Sequence, residues 1–210
     1  MGSGRAAWPP GLSAARAEVY AALSALVGDL REEPDRDVSW VVESLGRSMG
    51  ALESMGYKTG PLRELVTRLV VDQPSVSRLT EERERASERC RPRESAYVES
   101  GEYSQLALSE LARSAGVESL DLDSLPGQLG LMYVLAYQQE MADASADRER
   151  VESMIRSQLS LLERHLLRWV PKLAECVIAE VGEGMYSLAL AALLQFIEDD
   201  RQALINSPRP

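Results

Sequence analysis

Nucleophiles and soft metal ligands are scarce in this chain. Its 210 residues contain two cysteines, Cys90 and Cys176, and one histidine, His165. The one nucleophilic arrangement they allow is a thiol–imidazole pair, with Cys90 attacking and His165 as its base. The two residues lie far apart in sequence and form no local motif. Against that pairing, Cys90 reads as a residue at a helix end. Cys176, one step before Val177 and Ile178, reads as a small apolar core group. A zinc site built on Cys and His needs three or four ligands, more than this chain offers. A di-metal centre in a helical bundle wants two Glu-x-x-His pairs, which a single histidine cannot make. Carboxylates are plentiful, and Asp121/Asp123 and Asp199/Asp200 stand in pairs. Acidic runs of this kind read as solvated faces. The sequence has no phosphate loop, dinucleotide fingerprint, H-E-x-x-H, G-x-S-x-G or C-x-x-C motif. The expectation is a non-enzyme with no metal and no cofactor.

Charge narrows the partner. There are 23 Lys and Arg against 33 Asp and Glu, a formal net charge of −10. Gripping a nucleic-acid backbone needs a basic surface, so nucleic acid is excluded as a partner. An acidic surface suits a basic one. The longest apolar run, Leu188 to Leu194, falls far short of the roughly 18–20 residues of a membrane span. The opening Met1 to Pro10 has one base and no long apolar stretch, unlike a secretory signal. These features point to the cytoplasm, with both thiols reduced and no stable membrane insertion.

The elements that would position any site are helices. Ala15, Val19, Ala22, Leu23, Leu26 and Leu30 share one face, with Ser13 as N-cap and Pro34 as stop. Asp35 or Asp37 caps a second helix carrying Val38, Val41, Leu45, Met49 and Leu52. Pro61 opens a third through Val70, and Asp72 to Ser77 is a turn. Thr80 to Arg89 is a polar, exposed helix supported by Glu–Arg pairs. Cys90 to Tyr97 is an irregular connection, because Pro92 biases its predecessor to extended geometry. A helix from about Ser104 to Gly116 precedes an acidic connection, Val117 to Pro126. Gln128 to Ala142 is apolar almost all round and should be central. A long helix runs from near Asp147 to Trp169, and Pro171 separates or kinks it from Leu173 to Val181. Gly182 and Gly184 break the chain before the last helix, Met185 to Phe196 and on into Asp199-Asp200. No alternating strand appears. The expected fold is all-α, an irregular bundle of about eight helices over residues 13–206. Residues 1–12 are expected as a flexible N-terminus and 207–210 as a frayed tail.

The order of these segments resembles the TorD/DmsD/NarJ-type redox-enzyme maturation chaperones, the cytoplasmic helpers of molybdenum-cofactor oxidoreductases. The resemblance is carried by Val19 to Leu26, by Arg91-Pro-Arg-Glu-Ser-Ala-Tyr97, and by Leu125-Pro126 with the helix Leu129 to Glu140. It continues in Leu162-Glu-Arg-His-Leu-Leu-Arg-Trp169, similar to a His-Leu-x-x-Trp signature, and in Gly184 to Ala191. Gly127 and Gln128 depart from it: they stand where the family often has an Asp-His pair. The resemblance implies a receptor for the N-terminal leader, twin-arginine or related, of a molybdopterin oxidoreductase catalytic subunit. It would hold that leader during cofactor insertion and export proofreading, as a monomer or homodimer. A groove for such a leader needs apolar walls and carboxylates near its mouth. The implied groove is lined by Glu94, Tyr97, Leu125, Pro126, Gln128, Leu129, His165 and Trp169. In it Glu94 meets a leader arginine, and Tyr97, Leu129 and Trp169 give apolar contact. Each also has a plainer reading. Tyr97 pins its loop, His165 is a hydrogen-bonding residue at a helix end, Trp169 is a core plug, and Glu94 is a helix N-terminal carboxylate. The alternative from another class is an all-α adaptor or regulator with no redox client.

Overall fold

The computed structural model describes residues 11–32, 37–99 and 105–207. The stop at Pro34, the helix start near Ser104 and nearly all of the two expected flexible ends lie outside these residues. The fold is all-α: the described residues form helices, with a single isolated bridge between Arg93 and Ser124. The α-helices are α1 (Leu12–Val27), α2 (Val38–Ser54), α3 (Gly60–Asp72), α4 (Val76–Ser87) and α5 (Gln105–Ser114). They continue as α6 (Leu125–Ala144), α7 (Arg148–Leu161), α8 (Leu167–Val181) and α9 (Met185–Asn206).

Local chemistry sets most of the boundaries. Asp37 caps α2 by accepting the Trp40 N–H at 2.8 Å, and Asp147 caps α7 by accepting the Arg150 N–H at 3.1 Å. Ser75 does the same for α4, which shortens the expected turn after Asp72. Helix α6 starts three residues before Gln128. Ser124 caps it, and Pro126 sits in the first turn, where its missing N–H has no helical partner to lose. Ser13 is not a cap. It is buried inside α1, whose N-cap is Gly11 at φ 80°.

Pro171 does not separate two helices. Helices α7 and α8 run on through a π-turn, Leu162–Leu166, and Pro171 lies inside α8. Across that turn the Leu167 N–H reaches back five residues to the Leu162 carbonyl. A proline at 171 has no N–H for the Leu167 carbonyl and crowds it. The wider turn lies directly before this defect, and it turns His165 inward.

Helix α1 is the centre of the packing, with α6 and α2 as its most extensive neighbours. Helix α9 packs on α3, α8 and α1. Both α1 and α6 are apolar on most sides, which suits helices covered all round. The core between them is not purely apolar. Arg16 of α1 and Asp200 of α9 are fully buried and paired. Arg16 Nη2 donates to Asp200 Oδ2 at 3.0 Å, Nη1 donates to Gln139 Oε1 at 3.1 Å, and Nη2 also donates to Gln158 Oε1. The hydroxyls of Tyr20 and Tyr57 donate to the two Asp200 oxygens at 2.6 and 2.7 Å. Asp200 was expected on a solvated acidic run. It is instead the hub that joins α1, α9 and the turn before α3, because its position falls on the apolar face that α9 turns to the core.

Burial, and then the Asp200 charge, push the Tyr20 and Tyr57 hydroxyls well above the usual value near 10. Burial also pushes up Tyr186 on α9. A raised pKa means the folded state holds the proton more tightly than the unfolded chain. The stability this gives is complete below about pH 10 and is lost as pH rises past it. In an alkaline titration, these three of the seven tyrosines should ionise only together with loss of the helical circular-dichroism signal. Ionisation of all three while the helices persist would contradict their burial.

Candidate functional site

The irregular segment after α4 forms a strap, Arg91–Val98, laid across the start of α6 and the π-turn and first turns of α8. Backbone pairing fixes its edge: Glu94 N–H donates to the Asp123 carbonyl at 2.9 Å, and Leu125 N–H to the Pro92 carbonyl at 3.0 Å. Side chains then fasten it. Asp123 accepts from the Ser95 N–H at 2.9 Å and the Ser95 hydroxyl at 2.8 Å. Arg93 bridges Asp121 at 2.7 Å and Asp123 at 3.3 Å. Burial would raise the Asp123 carboxyl, but donation from Ser95 and Arg93 holds it below the usual carboxylate range. The acidic connection therefore works as a clasp for the strap rather than as a free solvated face.

Beneath the strap lies a polar chain in an apolar setting. His165 Nδ1 lies 2.9 and 3.0 Å from the two Glu94 oxygens. Gln128 Nε2 donates to Glu94 Oε2 at 2.7 Å and to the Leu122 carbonyl at 3.1 Å. Trp169 Nε1 donates to Gln128 Oε1 at 3.1 Å. The Tyr97 ring stacks on Trp169 with centroids 6.0 Å apart, and burial raises the Tyr97 hydroxyl. Lys172 of α8 donates to the Tyr97 carbonyl at 3.0 Å. Glu94, Gln128 and Trp169 are each at 0% exposure, so every polar atom here depends on its partner.

The structure thus gathers Glu94, Tyr97, Gln128, His165 and Trp169, with Leu125 and Leu129 buried alongside and Pro126 half-buried. It does not present them as an open groove. Glu94 is not at a mouth where an incoming arginine could meet it; its carboxylate is taken by His165 and Gln128. Trp169 is covered by Tyr97. The strap is pinned on two sides, by the clasp at the start of α6 and by its contacts with the π-turn and α8. A cleft of about 680 Å³ does open between α4 and the α8–α9 junction, but none of these eight residues lines it. Its mixed walls include Arg78, Arg85, Glu88 and Glu183.

The departure at Gly127-Gln128 has a local cause. A Cβ at Gly127 would stand 2.0 Å from the Asp121 carbonyl oxygen, so only glycine fits under the clasp. Gln128 then supplies both a donor to Glu94 and an acceptor for Trp169, a bridging role that an amide side chain can fill. At the far end of α8, a Cβ at Gly184 would lie 2.2 Å from Glu82 Oε1, which accepts the Tyr186 N–H at 2.7 Å.

The cysteines are not bystanders and are not free. Cys90 and Cys176 form a disulfide, with Cα atoms 5.8 Å apart. Cys90 stands directly before the strap, beside α8, which carries Cys176, so two residues far apart in sequence become neighbours. The thiol–imidazole pair is thereby removed, since His165 is bonded to Glu94 and Cys90 to Cys176. Sequence reasoning also missed Arg16, Gln139, Gln158 and Lys172. Among the described residues no cluster of His, Cys, Asp and Glu could hold a metal ion, and no helix is long and apolar enough to cross a membrane.

Residues 84–175, a little under half the chain, match the family described as nitrate reductase delta subunit. This bears out the resemblance to redox-enzyme maturation chaperones and supports a molybdoenzyme maturation chaperone in general terms. The family is one of chaperones, not of enzymes. No curated protein and no solved structure matches the chain.

Proposed function

We propose that this chain, which matches the nitrate reductase delta subunit family over residues 84–175, is a redox-enzyme maturation chaperone that binds the N-terminal leader of a molybdopterin oxidoreductase catalytic subunit and holds it until the cofactor is in place. The observation that carries this reading is a coincidence of location. The matched segment contains the strap, its clasp and the whole Glu94–Gln128–His165–Trp169 chain. The leader would lie along the strap and the start of α6, against the half-buried Tyr97 and Pro126, and would reach the buried Leu129 only where the strap parts from α6. The chain's net charge of −10, with Glu99 just after the strap and Glu118 on the acidic connection, would draw in a basic segment. The chaperone works in the cytoplasm in this reading, where the leader is first made.

The test is calorimetric titration with synthetic leaders from redox subunits encoded near this gene, under reducing conditions. Binding in the micromolar range or tighter is expected. It should weaken with added salt, because exposed charge pairs are screened beyond a Debye length of about 10 Å at 0.1 M. Exchanging the two leader arginines for glutamine should weaken it about tenfold or more. Absence of binding to every such leader would sink the proposal.

A further inference from the structure

We propose that the Cys90–Cys176 disulfide is a redox latch on the strap: the disulfide form is closed, and the dithiol form lets residues 91–98 lift from α8 to admit a leader peptide. The inference rests on the leader-binding reading and adds its regulation. Four contacts join the strap and its root to the π-turn and α8. They are Glu94 with His165, the Tyr97 ring on Trp169, Lys172 Nζ on the Tyr97 carbonyl, and the disulfide. Only the last is covalent. An ion pair between Arg89 and Glu180 spans the same two elements, but both side chains are exposed and it holds little. The strap covers the one large aromatic surface of the gathered residues, Trp169, which is at 0% exposure beneath it. A latch at the strap's root accounts for two findings together: the implied peptide-contact residues are closed off, and a disulfide joins the elements that close them.

The chemistry is thiol–disulfide exchange with a small dithiol or glutathione-type thiol. An external thiolate attacks the sulfur of Cys176, the less buried of the two cysteines, the protein S–S bond breaks, and the Cys90 thiolate leaves. A second external thiol then breaks the mixed disulfide. Two protein thiols and one external disulfide result, with two electrons passed to the protein. A glutathione-type disulfide reverses the step. Once the covalent tie is gone, the strap is held to α8 by hydrogen bonds and one ring stack, and to the start of α6 by the hydrogen bonds and partly exposed Arg93 ion pairs of the clasp; none of these is covalent, and such contacts open locally more often.

Hydrogen exchange of the strap amides and titration with a synthetic peptide, two adjacent arginines followed by an apolar run, test this on the full chain. Both are measured before and after dithiothreitol. Reduction should speed exchange across 91–98 by about tenfold or more and tighten peptide binding by a similar factor, with the helical signal unchanged. Cys90→Ser with Cys176→Ser should match the reduced protein even in oxidising buffer. If that variant fails to fold, the reduced wild-type protein carries the comparison. Unchanged strap exchange on reduction overturns the latch, as does faster exchange with equal peptide affinity in both states. Faster exchange with no peptide binding in either state keeps the latch and removes the leader as its ligand.

Discussion

Asp200→Ala should lower stability by about 3–5 kcal/mol, the largest effect of any single substitution considered in this protein. The change leaves the Arg16 guanidinium fully buried with its countercharge gone. Burial alone would lower the proton affinity of Arg16; Asp200 and the tyrosines around it raise it above its usual value. The hydroxyls of Tyr20 and Tyr57 lose their acceptor in the same step. At roughly 2–4 °C per kcal/mol for a chain of this size, the melting midpoint should fall by roughly 6–20 °C. Arg16→Met combined with Asp200→Leu should be milder than Asp200→Ala, since no charge then stays buried. It will not restore wild-type stability, because the two tyrosine hydroxyls and the amides of Gln139 and Gln158 still lose partners. Calorimetry and urea denaturation of the three proteins decide the matter. A loss below about 1 kcal/mol for Asp200→Ala would mean that solvent reaches the network.

Glu94→Ala should cost about 2–3 kcal/mol, and its effect should be concentrated in the strap. It removes the acceptor shared by His165 Nδ1 and Gln128 Nε2 in a site closed to water. Gln128 keeps its bond to the Leu122 carbonyl, so part of the chain survives, and Trp169 Nε1 keeps its acceptor. Glu94→Gln retains an oxygen for Gln128 and a nitrogen that can face His165, and should cost less than about 1.5 kcal/mol. The order Ala worse than Gln identifies a hydrogen-bonded hub; equal losses would identify the charge as what matters. Urea denaturation gives the total, and hydrogen exchange across 91–98 shows whether the damage is local. Peptide affinity should change with strap exchange in both variants, because the strap is the element that the carboxylate holds.

Much of the fold was legible because the helical period is strong and its punctuation is chemical. Asp37 (with Asp35 as its alternative) and Pro61 were visible as helix starts, Asp147 as the neighbourhood of one, and Gly182/Gly184 as a break, and the structure uses them so. In the sequence Pro171 reads as separating or kinking the helix; it does not separate it, and a π-turn stands just before it. The π-turn that accommodates it depends on what packs around 162–166, and no local rule writes that. The candidate site was legible as a set of residues but not as a surface. Glu94, Tyr97, Gln128, His165 and Trp169 do come together. Their spacing could not say whether the carboxylate faces solvent or a histidine.

Two signals were present and easily overlooked. Asp200 stands one turn beyond Phe196 and one turn before Leu204, on the buried stripe of α9. Arg16 stands one turn before Tyr20, on an α1 with almost no polar face. A charge on an apolar stripe at helical spacing is a candidate for a buried pair, and here the two answer each other.

By itself, the sequence determined the helices, their ends and the chemical poverty of the chain, because caps, prolines and apolar period act within a few residues. It also carried an order of segments that resembles a chaperone family. Only the tertiary structure decided what met across the chain: Arg16 with Asp200, Cys90 with Cys176, and Glu94 with His165. Those pairings depend on how α1, α4, α8 and α9 pack, a matter of burial and shape over long sequence separations. The two lone thiols and the lone histidine that offered a nucleophile and a base are, once folded, a latch and a hydrogen-bonded anchor.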